Sequence, residues 1–298
     1  MTFSIADRTV LITGGNTGIG KATAHALAAR GARVTIACRD AERAAAASDE
    51  IEDATGTPVD VLPLDLASLA SVRDAATQFA AEHATLDVLI NNAGVAVFGR
   101  RRATTDGFER QFGVNHLGHF VLTTSLLDRI TERIVNVSSA GYALARDGLR
   151  WDDLQWEQEY DGWQAYGASK LCNLYFTWEL ADRLRDRGVT ANALHPGFVD
   201  TDLGYRRPEE GGKPRPAPHD AVTDGTIPES GPDLSTLGTP LTAVEGARTS
   251  VMLASDPILA TVTGAYFDDR QRRIDLDGLA VDREASARLW ALSVDLTT

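Results

Sequence analysis

TVLITGGNTGIG, residues 9–20, is the stretch that decides the fold. A short apolar and β-branched run, Thr9–Thr13, passes without a break into a turn carrying Gly14, Gly15, Gly18 and Gly20, and a helical pattern starts inside that turn. Glycine suits such a place because the backbone turns tightly and approaches a pyrophosphate with no Cβ in the way. The helix that follows offers free N–H groups and the positive end of its dipole. A Gly-rich turn by itself is a weak signal; the strand–turn–helix setting is what marks a dinucleotide site.

Outward from this turn, short β-branched runs alternate with longer Ala- and Leu-rich amphipathic runs. The pattern predicts strands over 9–13, 32–37, 59–64, 86–91, 133–138, 190–195 and 264–267, and helices over 18–30, 41–54, 69–83, 108–127, 166–187 and 243–254. Such alternation implies an α/β fold: one Rossmann-type, doubly wound parallel sheet of about seven strands with helices on both faces. No linker or repeat interrupts it, so residues 1–298 are expected to form a single domain. From Gly204 to Gly238 the chain turns rich in Pro, Gly and charge with no amphipathic period, and a loop of that length inside a compact domain is expected to be a mobile substrate lid.

The bulk numbers agree with an ordinary globular enzyme: 298 residues, 43% hydrophobic and 24% charged. A formal charge of −13 disfavours nucleic acid and anionic lipid as partners. Cys38 and Cys172 are too few for a disulfide framework, the start lacks the pattern of an export signal, and no run approaches the roughly 18 apolar residues of a membrane span. A soluble cytoplasmic protein is expected, with no membrane partner.

The glycine spacing is TGxxxGxG, and further landmarks follow it in order: LPLDLAS with Asp65, NNAG at 91–94, VNHLGHF with Asn115, IVNVSS ending at Ser139, YGASK with Tyr166 and Lys170, and HPGFVDT at 195–201. In these motifs the chain resembles the short-chain dehydrogenase/reductase family over nearly its whole length. VTIACRD, FERQFGVNHLGHF, YGASKLCNLYFTWEL and GARTSVMLASDP are closer still to the retinol dehydrogenase-like branch. From that branch the chain is expected to depart in showing no N-terminal membrane anchor and in its 204–238 segment, so the resemblance implies a lipophilic or polycyclic substrate without singling out a retinoid. The resemblance implies a dinucleotide held by Gly14, Asn16, Thr17, Gly18, Ile19, Gly20, Asp65, Leu66, Asn92, Ala93, Gly94, Tyr166, Lys170, Pro196, Gly197, Val199 and Thr201. Asp65 is then placed at the adenine and 196–201 against the nicotinamide.

At the end of the second strand an acidic side chain would bind ribose hydroxyls and repel a 2′-phosphate. Here Cys38 is neutral and Arg39 follows, a guanidinium suited to a charged fork on that phosphate, so NADP(H) is expected in preference to NAD. Reducing a ketone needs a proton donor at its oxygen, and Tyr166 is the candidate. Lys170 lies one helical turn on and its ammonium would draw the phenol's pKa down. Ser139, at a strand end, offers a second donor to the substrate oxygen. The resemblance also gives Lys170 a contact to the nicotinamide ribose and makes Asn115 a helix-breaking residue that anchors a proton-relay water.

Other constellations are weaker. His116 and His119 stand three apart with no further ligand at metal spacing, and no metal is expected. No GxSxG elbow surrounds Ser138 or Ser139. Trp151, Trp156 and Trp163 are expected to pack in the core, with Trp163 within reach of a substrate wall. The expected activity is hydride transfer between a ketone or aldehyde and its alcohol. Redox-neutral epimerisation or dehydration with a retained dinucleotide, and a dinucleotide-sensing module, are the alternatives. Apolar residues spread around the 108–127 and 166–187 helices, and excess apolar surface there points to a homodimer, unless the 139–166 interval and ARLWALSVDL fold back to cover it.

Overall fold

The computed structural model describes residues 3–201, 203 and 239–298, so the expected 204–238 lid lies outside the described residues. In chain order, β1 (Thr9–Thr13), α1 (Gly18–Ala28), β2 (Arg33–Cys38), α2 (Ala41–Thr55), β3 (Val59–Pro63), α3 (Leu69–Glu82) and β4 (Leu86–Asn91) alternate through the first part. A turn of π-helix, Phe112–Leu117, leads into α4 (Gly118–Leu126) and β5 (Ile130–Val137). Then come α5 (Gly162–Arg183), β6 (Thr190–Leu194), α6 (Ala243–Ser255), β7 (Tyr266–Phe267), β8 (Arg273–Ile274) and α7 (Arg283–Thr297).

The strands form one sheet in the order β3-β2-β1-β4-β5-β6-β7-β8, parallel except for β8, which runs antiparallel to β7. Every residue of β1 and β4 is buried, as expected when helices cover both faces. Side chains leave the sheet alternately: Leu11 and Leu89 join Phe79, Phe120 and Phe176 of α3, α4 and α5, whereas Val10, Ile12 and Ile90 join Leu27, Ile51 and Leu253 of α1, α2 and α6. The chain winds outward from β1 in one direction and from β4 in the other. That reversal opens a crevice beyond their carboxyl ends, where α/β sheets bind ligands.

Three departures from the predicted elements have local causes. Helix α5 begins at Gly162, four residues early, because Asp161 caps it by accepting from the N–H groups of Trp163 and Gln164. The predicted 108–127 helix starts at Arg110 and passes through the π turn, Phe112–Leu117, before α4. β8, two residues long, carries too little pattern to be read as a strand.

The larger departure is α7, capped by Asp282, whose side chain accepts from Ala285 N–H. It lies along α5 and α4: Trp290 stacks on Phe176 at 5.9 Å and meets Phe120 edge-on at 5.1 Å, and Ser293 Oγ is 2.8 Å from His116 Nε2. Just before it, the Leu279 and Ala280 carbonyls accept from Tyr175 Oη and Trp178 Nε1. The apolar surplus on those helices is therefore covered within the chain, and the ground for expecting a homodimer falls away. Sedimentation at micromolar concentration is expected to show one species near 32.0 kDa; a species of twice that mass would locate pairing on some other surface. Among the described residues no helix is long and apolar enough to cross a membrane.

Candidate active site

The crevice is built around Thr13, the last residue of β1. Its Oγ accepts from the N–H groups of Asn92 and Ala93, both at 2.9 Å, and lies 2.9 Å from His119 Nε2. His119 Nδ1 faces the Asn115 carbonyl at 3.1 Å; since a carbonyl only accepts, Nδ1 carries the proton and Thr13 donates to Nε2. Burial holds the imidazole neutral, its pKa drawn down to about 4. Asn92 Nδ2 closes the ring on the Thr13 carbonyl at 2.8 Å. Thr13 and His119 thus lock the glycine turn to the NNAG segment, a task no motif in the sequence announced.

Gly14 has φ of +67°, and a Cβ on Gly20 would stand 2.2 Å from the Gly14 carbonyl oxygen. The turn is as tight as a backbone cradle for phosphate requires, and it opens onto the first turn of α1 behind Thr17. Thr201 returns to it: its Cγ2 lies 3.2 Å from where a Cβ on Gly18 would sit. Asn16, Ile19, Gly197 and Val199 line the same region, half-buried, with Pro196 buried behind them. Val199 bridges to Leu241, so the described chain on either side of 204–238 is joined at its base.

Cys38 ends β2 with its thiol buried and pushed up to about 11 by that burial. Arg39 is exposed beside it, and Asp40 caps α2 by accepting from Arg43 N–H at 3.0 Å. Asp65 follows β3; its Oδ1 accepts from Ala67 N–H at 2.9 Å, and Leu66 is buried under Gly118. These three strand ends and the NNAG segment form one continuous rim.

The catalytic candidates stand on the other side of β4. Ser139 follows β5 and caps a short 3-10 helix, accepting from Gly141 N–H at 3.0 Å, and its hydroxyl faces Tyr166 closely enough to favour the phenolate. A Cβ on Gly141 would fall 2.9 Å from Tyr166 Cε1, so that position must stay bare for the phenol to reach Ser139. Lys170 Nζ donates to the Val137 carbonyl at 3.2 Å and lies 5.8 Å from the centroid of the Tyr166 ring. Burial draws the ammonium down to about 8.

The phenol does not follow expectation. Tyr166 is held above its ordinary value by burial, which the Ser139 hydroxyl only partly offsets. Lys170 shares its helix face, but its ammonium is drawn to Val137 and does not offset that burial.

Asn115 lies within the π turn, a local break in the helix. Its Nδ2 donates to the Val95 carbonyl at 3.0 Å and to Ser169 Oγ at 2.9 Å, and its Oδ1 accepts from Val95 N–H at 2.8 Å. Oδ1 and Lys170 Nζ lie 3.4 and 3.5 Å from where a Cβ on Gly94 would stand, so that glycine keeps the space between them open. His116 points away, to Ser293, and among the described residues no three His, Cys, Asp or Glu side chains converge as metal ligands.

Comparison with known proteins fits this architecture. The family model described as short chain dehydrogenase matches residues 8–148 and 154–211. Human retinol dehydrogenase 13 is 41% identical over 302 residues, covering 98% of this chain and 85% of its own. An uncharacterised protein of Mycobacterium paratuberculosis superposes with a TM-score of 0.75 at 37% identity, covering 99% of this chain and 95% of the other. A short chain dehydrogenase of Burkholderia cenocepacia, solved in complex with NADP, gives 0.66 at 28% identity, covering 89% and 97%.

The chain belongs to the short-chain dehydrogenase family and is an NAD(P)-dependent oxidoreductase acting on CH–OH or C=O groups. Within that family it falls in the retinol dehydrogenase-like branch.

Proposed function

We propose that this enzyme interconverts a lipophilic ketone or aldehyde and the corresponding alcohol with NADP(H), Tyr166 serving as general acid and base. The observation that carries this is the buried Tyr166 phenol, set against Ser139 and Gly141 and one helical turn from the buried Lys170 ammonium, which borders Gly94. The bare positions at Gly14, Gly20 and Gly94 fit a dinucleotide laid from Arg39 to Lys170, whose nicotinamide supplies or takes the hydride. Ser139 and Tyr166 hold the substrate oxygen as paired donors, and Tyr166 moves the proton. Lys170 replenishes it through the space that Gly94 leaves open beside Asn115 Oδ1. Pro196, Gly197, Val199 and Thr201 exclude water from the nicotinamide side. The two free, buried cysteines accord with a reducing, cytoplasmic setting.

Preference for NADP is supported by an exposed arginine where an acid would serve NAD, and by the NADP carried by the Burkholderia relative. Arg39→Asp is expected to shift the NADPH/NADH ratio of kcat/KM by about a hundredfold towards NADH, since it removes a charged fork and adds repulsion. A wild type that already prefers NADH would sink the assignment. The activity itself is tested by following NADPH oxidation over a panel of ketones and aldehydes. Tight, non-exchanging cofactor with no net oxidation would point to redox-neutral chemistry.

A further inference from the structure

Glu109 and Gln111 have no part in the chemistry above, yet neither is exposed at all. A carboxyl and an amide are costly to bury unless their polar atoms are met. They are met by two distant loops. Gln111 Oε1 accepts from Val97 N–H at 3.0 Å, and its Nε2 reaches the Val97 carbonyl at 3.3 Å, the Gly162 carbonyl at 3.1 Å and Tyr160 Oη at 3.1 Å. Tyr160 Oη lies 2.8 Å from the Val97 carbonyl and 3.2 Å from Glu109 Oε1, while Glu109 Oε2 accepts from Phe112 N–H at 2.7 Å.

This cluster fastens the backbone at 97 to the backbone at 162. The approach is so close that a Cβ on Gly162 would stand 2.4 Å from the Val97 carbonyl oxygen and 2.6 Å from Phe98 Cα. The next residue on each side is aromatic. Phe98 and Trp163 stack at 3.8 Å with 27° between their planes, and Phe98 turns its edge to Tyr166 at 6.1 Å. Trp163 is buried at 8% exposure and Phe98 is half-buried, so Phe98 offers the open surface of the pair beside the catalytic phenol.

We infer that Phe98, backed by Trp163, is a specificity-determining wall against which the group attached to the reacting carbonyl packs, and that Gln111 is the positioning residue that sets it. An aromatic face selects flat, π-bearing groups over saturated ones of equal size, because stacked or edge-on rings gain attraction beyond buried area. The inference rests on Tyr166 marking the reacting carbon.

Acetophenone and cyclohexyl methyl ketone differ only in that ring character, so the ratio of their kcat/KM with NADPH reads the wall directly. Phe98→Leu is expected to lower the aryl-to-alicyclic ratio about fivefold, mainly through the KM of the aryl ketone, and Phe98→Tyr to hold it within about twofold. Gln111→Leu, which touches no substrate, is expected to lower the same ratio by about as much with NADPH affinity unchanged. If Phe98→Leu depresses both ketones alike, or leaves the ratio alone, the wall is refuted even should Gln111→Leu fail to fold. Turnover of neither ketone by wild type, or turnover indifferent to Tyr166→Phe, would instead overturn the assignment of Tyr166 and the wall with it.

Discussion

Tyr166→Phe is expected to lower kcat by about a thousandfold or more while leaving cofactor affinity nearly intact, because it removes proton transfer and one of two donors to the substrate oxygen. Ser139 would remain behind β5, capping its short 3-10 helix, so the protein should fold normally. The pH profile offers a second check. Burial keeps the phenol above its ordinary value, so carbonyl reduction, which needs the protonated form, should hold across neutral pH and fall only in alkali. Alcohol oxidation, which needs the phenolate, should rise over the same range. A variant retaining a tenth of wild-type turnover, or reduction that fades between pH 6 and 8, would refute Tyr166 as the proton donor.

Lys170→Met is expected to do two opposite things: cut turnover by about a hundredfold or more and make the protein more stable at neutral pH. The ammonium is drawn from 10.5 to about 8 by burial, so the folded state gives up its proton more readily than the unfolded chain. Between those values the unfolded chain binds more protons, and wild-type stability rises with pH. Below about 8 the full cost of the buried charge is present, about 3 kcal/mol by linkage, less about 1 kcal/mol for the hydrogen bond to Val137 that the variant loses. Methionine keeps the volume without the charge. Thermal unfolding should therefore place the variant several degrees above wild type at pH 7, with the gap closing towards pH 10. A variant less stable at pH 7, by a margin indifferent to pH, would show that the ammonium carries no such burden.

That Lys170 belongs to the catalytic set could be guessed from YGASK, but the cost of burying its charge could not. Position in sequence says that Tyr166 and Lys170 share a helix face; burial and the competing Val137 carbonyl decide which way each one titrates. The same limit applies to Phe98 and Gln111. Phe98 lies in a loop without periodicity, and Gln111 sits two residues from Glu109 in a helix-like run where both would pass for surface charge and polarity.

What the sequence determined by itself were the features with short range: the glycine turn behind β1, the alternation of strand and helix, the ordered motifs and the Cys38–Arg39 step at the end of β2. Each is written in neighbouring residues because backbone conformation and side-chain period are local properties. Tertiary structure alone decided the rest. The knot of Thr13, His119 and Asn92 joins residues 79 and 106 positions apart. Helix α7 comes back to cover α4 and α5, turning what looks like a dimer face into core. The 97–162 fastening brings an aromatic wall to the phenol across 65 residues of chain (163 less 98). Such contacts depend on how whole elements pack, and no window along the chain contains both partners.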